Sequence, residues 1–392
     1  MNQNKIFAWC VNIFRIFPVR KNRITMIEKL DTGGSGSLHE VEKECRKREL
    51  PFVFYQIRQS DYRLSLSNLA GLVWLFTRKA YLLATSSWIF LNDNFMPMAY
   101  MNLSDKTKVV QLWHGMGSFK KFGGSLDLEP WLRKELYDVN RHVDYILASS
   151  RNILDNYREA FIVPEEKVVC VGCPQADYYF RMLKEEKRRL AITGGTVPAA
   201  STHRRRLEER YPALRGKKLA LYAPTFRDDP EKDRELLSHF DFKAFEDRLG
   251  DEYCLAVRLH PQIQSSTIPK GVVNLTDYPN IRRLLCMTDL LIADYSSVAV
   301  EYSLLGRPIV LYAFDEDWYL EKDRDFYFDY RKTAPGPVIH SMEELIGTIE
   351  RQGWDLKKVE AFSRLHNEYF DDKNTERVVD FLFSSSGGGV SF

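Results

Sequence analysis

Residues 290–297 read LLIADYSS, an apolar run that ends in an acid, a tyrosine and two serines. Four consecutive apolar residues are typical of a strand that is buried on both faces, and the polar residues after them favour a loop that opens a helix. A second stretch, residues 109–121, reads VVQLWHGMGSFKK and shows the same order of an apolar run and a polar loop. Buried strands that lead into helices predict a parallel sheet in an α/β fold.

The alternation of strands and helices continues on both sides of these two stretches. Strand-like runs occur at residues 24–27, 52–55, 81–84, 88–91, 145–148, 167–171, 219–224, 254–259 and 308–311. The chain of 392 residues is also long for a single hydrophobic core. We therefore predict two doubly wound, Rossmann-like domains that face a cleft, which is the architecture of GT-B glycosyltransferases.

Changes in composition set the predicted boundaries. Residues 183–218 are rich in Lys, Arg and Glu and contain no strand-like run, which indicates a connector between domains. The end of the chain is rich in Ser and Gly, which is typical of a flexible segment. The predicted segments are an amphipathic helix at 1–20, an N-terminal domain at 21–182, a connector at 183–218, a C-terminal domain at 219–383 and a flexible tail at 384–392.

The composition excludes some classes of protein. Lys plus Arg number 56 and Asp plus Glu number 54, so the formal net charge is +2, which argues against a dedicated nucleic-acid binder. The six cysteines of so long a chain indicate reduced thiols and not a disulfide framework. The sequence has no apolar run of about 18 residues, so we predict no transmembrane helix.

The N-terminal segment has an amphipathic pattern. Aliphatic and aromatic residues at 6–17 are interleaved with Lys5 and Arg15, and basic residues follow at 20–23. This pattern fits a short helix that lies on an anionic membrane surface. It fits equally a helix that packs its apolar face on its own domain. If the first interpretation holds, residues 1–20 should be dispensable for folding.

His114 is the first candidate catalytic residue. It follows the apolar run at residues 109–113, and a histidine at a strand end is well suited to accept a proton near neutral pH. Gly115 leaves room beside it for a substrate, and Lys120 and Lys121 follow as candidate phosphate ligands. A histidine with a purely structural role is the alternative.

Gly34 and Ser35 lie in a glycine-rich loop between a predicted strand and a predicted helix. Backbone N–H groups at such a loop can bind a phosphate at the helix N-terminus. The loop lacks the lysine of a P-loop, so an ordinary strand-to-helix turn is the alternative.

Several polar residues of the second domain follow predicted strands. In doubly wound sheets the ligand binds outside the carboxyl ends of the strands, so these residues are candidates for one anion site. They are Thr225 and Arg227 after the first strand, Arg258 and His260 after the second, and Asp294, Ser296 and Ser297 after a third. Glu301, one helical turn further on, is placed to accept hydrogen bonds from ribose hydroxyls. Structural roles, such as a helix N-cap at Asp294 or Ser296, are the alternative.

These segments resemble the CDP-glycerol glycerophosphotransferase family, which makes the poly(glycerol phosphate) linkages of bacterial teichoic acids. The His114 stretch is similar to the family signature WHGTPLKK. Further similar segments are 171–177 (tGyPRnD), 221–228 (LYAPTfRd), 258–261 (R-x-HP), 293–302 (TDYSSvmfDy) and 335–337 (PGP). The chain departs from the signature at Met116 and Gly117, at Cys173 and Gln175, and at Glu301, where the family has Asp.

The resemblance implies a phosphotransferase reaction and the roles of its residues. Glycerol phosphate would pass from CDP-glycerol, held by the C-terminal domain, to an isoprenoid-diphosphate-linked disaccharide, held by the N-terminal domain, with release of CMP. His114 would be the base for the attacking hydroxyl, and His260, Arg258, Ser296 and Ser297 would bind the pyrophosphate. The resemblance implies no metal and no cofactor, a primase role, and a peripheral location at the cytoplasmic face of the cell membrane.

Other functions remain open on sequence grounds. CDP-ribitol could replace CDP-glycerol, and a short polymerase could replace the primase. A GT-B glycosyltransferase that uses a nucleotide-sugar and a non-catalytic membrane scaffold are the alternatives from other classes. No nucleic-acid partner is predicted, and a homo-oligomer is compatible with the sequence.

Overall fold

The computed structural model describes residues 3–29, 36–62, 68–192, 202–227, 229–260, 263, 268–323 and 325–384. The chain forms two compact units. The first unit consists of Met1–Asp177 together with Asn367–Phe392, and the second consists of Tyr178–His366. The predicted Gly34 and Ser35 lie outside the described residues.

The first unit contains a parallel sheet. Its strands are β1 (Arg20–Glu28), β2 (Val53–Arg58), β3 (Ser86–Leu91), β4 (Lys108–Gln111), β5 (Tyr145–Ala148) and β6 (Val168–Cys170). Their order is β2-β1-β3-β4-β5-β6, and every neighbouring pair is parallel. The chain extends the sheet in one direction from β1 to β2 and then in the other from β3 onward. The topological switch point therefore lies between β1 and β3.

The second unit contains another parallel sheet. Its strands are β7 (Lys218–Tyr222), β8 (Tyr253–Val257), β9 (Val273–Asn274), β10 (Leu290–Ala293), β11 (Ile309–Tyr312) and β12 (Val338–Ile339). Their order is β12-β11-β10-β7-β8-β9, with parallel pairing throughout. Here the switch point lies between β7 and β10. All residues of β8, β10 and β11 are buried, as expected for strands covered on both faces.

Helices connect the strands in both units. In chain order they are α1 (Gln3–Phe14), α2 (Ser37–Lys47), α3 (Leu69–Trp74), α4 (Ala80–Ala84), α5 (Pro130–Asn140), α6 (Leu154–Phe161), α7 (Ala176–Ile192), α8 (Thr202–Arg210), α9 (Pro230–Glu235), α10 (Phe242–Leu249), α11 (Ile281–Met287), α12 (Val298–Ser303), α13 (Glu316–Lys322), α14 (Tyr330–Thr333), α15 (Met342–Glu350), α16 (Leu356–His366) and α17 (Asn374–Phe383). A π-helical turn at Leu75–Lys79 joins α3 to α4. The run at residues 81–84, which the sequence predicted as a strand, instead forms α4, because it continues the helical turns of residues 69–79. Two doubly wound α/β sheets agree with the predicted fold class.

The C-terminal helix α17 belongs to the first unit, although the sequence predicted one continuous C-terminal domain at 219–383. Val378, Val379 and Leu382 of α17 are buried in the core that contains Ile24 and Phe90 of the first sheet. The segment that was predicted as a connector, 183–218, also differs from expectation. It contributes α8 and most of α7 to the second unit and is not a separate linker.

A carboxylate anchors the returning chain at the start of α17. Asp177 Oδ1 accepts hydrogen bonds from the backbone N–H of Asn374 at 2.8 Å and from its Nδ2 at 2.9 Å. Asp177 Oδ2 accepts from the backbone N–H of Thr375 at 2.8 Å and from its Oγ1 at 2.6 Å. Burial raises the pKa of Asp177, whereas these four hydrogen bonds lower it. Asp177 thus satisfies N–H groups that the first turn of a helix leaves unpaired.

The N-terminal helix α1 packs one face on the first unit and exposes the other. Phe7, Ala8 and Val11 are buried, whereas Trp9 is 62% exposed and Ile13 44% exposed. The ring of Phe7 packs edge-on against aromatic neighbours, namely Tyr62, Phe76 and Phe95. This packing contradicts the expectation that residues 1–20 are dispensable for folding.

None of the helices in the described ranges combines the length and the hydropathy needed to cross a membrane. All six cysteines are free thiols in this structure.

Candidate functional site

The imidazole of His114 lies beyond the carboxyl end of β4 and is oriented by a backbone carbonyl. His114 Nδ1 is 3.2 Å from the carbonyl oxygen of Asn92, which directly follows β3. A carbonyl oxygen can only accept a hydrogen bond, so Nδ1 carries the proton in the neutral ring. Nε2 is then the nitrogen that can accept a proton, which is the tautomer that a general base needs.

The loop before His114 has an unusual backbone that buried amides hold. Trp113 has a φ of 56°, a left-handed conformation that is rare for a bulky residue and is often found at functional sites. The side chain of Gln111 is fully buried, and its Oε1 accepts from the Trp113 N–H at 3.0 Å. Its Nε2 donates to the Asp93 carbonyl at 3.2 Å. Gln111 therefore joins the loop that carries His114 to the loop that carries Asn92.

Three further contacts hold this loop in place. Gln175, which follows β6, donates from Nε2 to the carbonyl of His114 at 3.3 Å. The Trp113 ring stacks on Phe122 at 5.1 Å between centroids and meets Phe161 edge-on at 5.0 Å. Residues that follow strands β3, β4 and β6 thus all contact the loop that carries His114.

The remaining predicted residues of this loop are partly accessible. A Cβ placed on Gly115 would meet only the Trp113 ring, at 3.5 and 3.6 Å, which is ordinary van der Waals contact. A small side chain at Gly115 would therefore not clash, and room for a substrate at this position stays a prediction. Lys120 and Lys121 are each partly exposed and lie at the end of the same loop. Gly117 donates its N–H to Ser149 Oγ, after β5, at 3.0 Å.

In the second unit, the predicted residues meet at the switch point of the sheet. Thr225 follows β7, and Asp294 follows β10. The backbone N–H of Thr225 donates to Asp294 Oδ1 at 2.9 Å and to Oδ2 at 3.1 Å. The ring of Phe226 lies against the exposed imidazole of His260, which follows β8, with 4.8 Å between centroids. Three adjacent strand ends therefore converge, as the sequence predicted.

Arg227 and Asp294 form a buried ion pair, and this corrects their predicted role as ligands of the donor. Arg227 Nη1 lies 3.0 Å from Asp294 Oδ2, and the two side chains are 0% and 1% exposed. The guanidinium also donates from Nε to Asp315 Oδ2 at 2.8 Å and from Nη2 to Asp315 Oδ1 at 3.0 Å. Because the guanidinium is enclosed and paired with two carboxylates, it braces the strand ends and does not reach a phosphate.

Arg258 differs from Arg227, because backbone carbonyls and not carboxylates bind its guanidinium. Its Nη1 donates to the carbonyls of Leu275 at 3.0 Å and Tyr278 at 2.7 Å. No carboxylate in the part of the chain that the structure describes forms an ion pair with it. Burial lowers the pKa of Arg258, and the charge of Asp277 raises it. A partly desolvated cation without a carboxylate at ion-pair distance is a favourable place for a phosphate.

Thr225 and Glu301 each keep a polar atom for a ligand. Thr225 is 6% exposed, and its Oγ1 has no hydrogen-bond partner among the described residues. Glu301 is held through Oε2 alone, which accepts from Tyr179 Oη at 2.6 Å and lies 3.2 Å from Arg282 Nε. No hydrogen bond or ion pair to its other oxygen is found among the described residues, so the predicted contact with a hydroxyl is compatible with this geometry.

The two serines lie where the loop after β10 enters α12. Ser296 is partly buried, and its Oγ lies 3.4 Å from the Val298 N–H, a long and weak hydrogen bond. Ser297 is exposed and caps α12 without a side-chain hydrogen bond to the helix. Neither hydroxyl is therefore committed to a strong capping bond.

Some residues that shape the site were not predicted. Asn92, Gln111 and Asp315 hold their neighbours through contacts between different strand ends, which a linear pattern does not reveal. A polar residue directly after an apolar run was the available signal for Asn92 and Asp315. Across the described ranges, no three His, Cys, Asp or Glu side chains lie close enough to hold a metal ion.

Comparison with known proteins identifies the family. The family described as "CDP-Glycerol:Poly(glycerophosphate) glycerophosphotransferase" matches residues 10–384. The teichoic acid poly(ribitol-phosphate) polymerase of Bacillus spizizenii is 32% identical over 96% of this chain, and the chain spans only 58% of that relative's length. The teichoic acid ribitol-phosphate primase of the same organism is 30% identical over 96% of this chain and 94% of its own length.

The solved structure of the wall teichoic acid polymerase TagF superposes with a TM-score of 0.72. The match covers 96% of this chain and 92% of that chain at 19% sequence identity. At this identity the likeness concerns the fold alone, and it confirms the predicted GT-B-like class. The extent of the family match shows that the chain belongs to the CDP-glycerol:poly(glycerophosphate) glycerophosphotransferase family.

Proposed function

We propose that this protein transfers glycerol phosphate from CDP-glycerol to a sugar hydroxyl of an isoprenoid-diphosphate-linked disaccharide, as a primase of teichoic-acid-like polymer synthesis. Family membership supports the reaction class. The observation that carries the catalytic part is the hydrogen bond of His114 Nδ1 to the Asn92 carbonyl, because it leaves Nε2 as a base.

The reaction is an in-line displacement at phosphorus. Nε2 of His114 takes the proton of the acceptor hydroxyl as its oxygen attacks the phosphorus that carries glycerol. A bond forms between that oxygen and phosphorus, and the bond from phosphorus to the bridging oxygen breaks. CMP leaves with the electron pair of the broken bond. The first unit thereby serves the acceptor and the second unit serves the donor.

The second unit supplies the groups that bind the donor. Arg258 and His260 offset the charge of the pyrophosphate, and Thr225, Ser296 and Ser297 donate hydroxyl hydrogen bonds to it. Glu301 accepts from ribose hydroxyls through its second oxygen. Arg227 and Asp294 contribute indirectly, because their ion pair fixes the loops that hold Thr225 and Ser296.

We further propose that transfer needs no divalent metal. Asp294, a carboxylate at these strand ends, already accepts from the Thr225 and Tyr295 N–H groups and pairs with Arg227. Its oxygens are therefore committed to structural contacts. The positive charge that departing CMP requires would come from Arg258 and His260.

CDP-ribitol is the second candidate donor. Both curated relatives described above are named for ribitol phosphate, whereas the family is named for glycerol phosphate. The two donors share the CDP group, so the contacts of the second unit serve either of them. The donors differ only in the polyol, glycerol or ribitol, so only contacts with the polyol can distinguish them.

We also propose a peripheral location on the cytoplasmic face of the membrane, where an isoprenoid-linked acceptor resides. The exposed apolar side chains of α1 support this location. A homo-oligomer and the restriction to the first unit of the polymer remain predictions, which mass measurement in solution and product-length analysis would test.

The decisive experiment measures CMP release with a lipid-linked disaccharide acceptor. CDP-glycerol and CDP-ribitol are compared with UDP- and GDP-sugars, with and without EDTA. Release of CMP from a CDP-polyol in EDTA supports the proposal. Transfer from a nucleotide-sugar alone would assign a glycosyltransferase, and no turnover with any donor would favour a scaffold. Activity that is lost in EDTA and restored by Mg²⁺ would refute the metal-free step.

A further inference from the structure

A cavity of about 220 Å³ opens at the switch point of the first sheet. Its walls come from the carboxyl ends of β1 and β2, from the segment after β3, and from the start of α1. In doubly wound sheets this is the position where ligands bind. The volume suits one small ring, and none of the residues predicted from the sequence lines it.

The charged side chains of the cavity wall are already paired. Arg58 lies 3.5 Å from Glu28, and Lys29 lies 3.2 Å from Asp93. The remaining polar side chains of the wall are neutral: Gln3, Asn4, Gln59, Tyr62 and Asn94. Apolar faces come from residues such as Phe95 and Pro97. Neutral amides and a phenol beside aromatic and aliphatic surface favour an uncharged ligand with many hydroxyl groups.

Two buried polar atoms of the wall have no hydrogen-bond partner within the described ranges, the hydroxyl of Tyr62 and Oδ1 of Asn94. An unsatisfied buried polar atom costs free energy, so its persistence indicates a missing partner. Tyr62 can donate, and Asn94 Oδ1 can only accept. Sugar hydroxyls can accept from the first and donate to the second, whereas a phosphate dianion cannot donate to Asn94 Oδ1.

A chain of hydrogen bonds connects the cavity wall to His114. Lys29, in the cavity wall, donates its backbone N–H to Asn92 Oδ1 at 2.9 Å. The carbonyl of the same Asn92 orients His114 Nδ1. Asn94 follows two residues later in the chain. A ring held in the cavity therefore lies beside the loop that positions the proposed base.

We propose that this cavity is a sugar subsite, in which Tyr62 and Asn94 bind hydroxyl groups of a neutral ring of the acceptor. That the sugar belongs to the acceptor rests on the proposed function, whereas binding of the sugar itself does not. The two statements can therefore be tested separately.

The first test is direct binding. Saturation-transfer NMR with a free disaccharide of N-acetylhexosamines, which carries neither lipid nor phosphate, measures binding to the full chain without any turnover. The subsite predicts transfer to the ring protons, reduced at least threefold in Tyr62→Phe and Asn94→Ala. Signals that are absent, or equal in both variants and the parent protein, would overturn the subsite whether or not the protein is a transferase.

The second test uses the opposite signs that the subsite predicts for Tyr62→Phe. Because the variant loses only an unpartnered hydroxyl, its melting temperature should equal or exceed that of the parent protein. The KM for the lipid-linked acceptor should rise about threefold to tenfold, the value of one neutral hydrogen bond, with the KM for the CDP-polyol within twofold. An unchanged acceptor KM, or a lower melting temperature, would overturn the assignment.

Tyr100→Phe is the matched control. Its hydroxyl donates to Glu135 at 2.7 Å at the exposed surface of the same unit, away from the cavity wall. The control should leave the acceptor KM and the NMR signals unchanged. If sugar binds in the NMR experiment but no CDP-polyol is turned over, the proposed function fails while the subsite stands.

Discussion

Gln111 holds the loops on both sides of the proposed base, because its amide bonds to Trp113 and to Asp93. Gln111→Glu keeps the oxygen that accepts from Trp113 but loses the N–H that binds the Asp93 carbonyl. We expect kcat to fall about tenfold or more and the pH profile of kcat to shift, since small displacements of a catalytic group are costly. The KM for the CDP-polyol should stay within twofold. A loss confined to donor binding would contradict this positioning role.

His114 and His260 should respond differently to substitution by alanine. His114→Ala removes the proposed base, so turnover should fall by ~10²–10⁴-fold while donor affinity changes little. His260→Ala should weaken both donor binding and turnover, because a group on the pyrophosphate acts in the ground state and in the transition state. Steady-state kinetics and calorimetric titration with CDP-polyol separate the two. Near-normal turnover in His114→Ala would refute the base assignment.

At the scale of elements, α1 presents one apolar face to the core and another to solvent. Trp9→Ser with Ile13→Ser changes only the exposed face, so folding should be unaffected. Sedimentation with anionic vesicles should show at least a fivefold loss of binding, because apolar area and basic charge act together at membrane surfaces. The matched control is Trp131→Ser, an exposed residue of α5. Equal binding by the double variant and the control would sink the membrane role of α1.

A buried histidine at the end of α16, His366, should make the stability of the protein depend on pH. Burial among apolar groups, including the rings of Phe328 and Phe362, lowers the pKa of His366 to about 3. The unfolded chain, with a pKa near 6.5, therefore binds more protons between pH 3 and 6.5, and the free energy of unfolding falls as the pH falls. The loss is about 1.4 kcal/mol per pH unit, or about 2 kcal/mol at pH 5.

His366→Phe should remove this part of the pH dependence. Urea unfolding at pH 5 and pH 7 measures the difference for the parent protein and the variant. The parent protein should lose more stability on acidification than the variant does. Identical pH slopes would show that His366 is not neutral and buried in the folded protein.

The sequence predicted elements where local pattern and fold agree. Strands such as β10 are continuous apolar runs, and their carboxyl ends carry the polar residues that meet at the switch point. The role of Arg227 was mistaken, because an arginine after a strand looks the same whether it faces a phosphate or a buried carboxylate. The return of α17 was also missed, because the spacing of Val378 and Leu382 fits any apolar surface and does not identify the sheet that it covers.

For the whole molecule, the two chain segments that form the first unit are joined by the hydrogen bonds between Asp177 and the start of α17. Asp177→Ala would leave the N–H groups of Asn374 and Thr375 buried without their acceptor. We expect a loss of about 2–4 kcal/mol in the stability of the first unit. Urea unfolding measures this loss, and limited proteolysis should cut α17 faster.

Asp371→Ala is the matched control for Asp177→Ala. Its carboxylate pairs with Arg377 where both side chains are partly exposed, so its loss should cost less than about 1 kcal/mol. Equal effects of the two variants would contradict a special role for Asp177.

The first unit is formed by two separate segments of the chain, and this has a consequence for biosynthesis. The ribosome completes residues 178–366 before it makes the α17 residues that the first core contains. The second unit can therefore reach its native state on the nascent chain while the first still lacks one side of its core. Until α17 arrives, the apolar residues that it covers stay open to chaperones and to misassembly. Protease resistance on stalled nascent chains should appear first in the second unit.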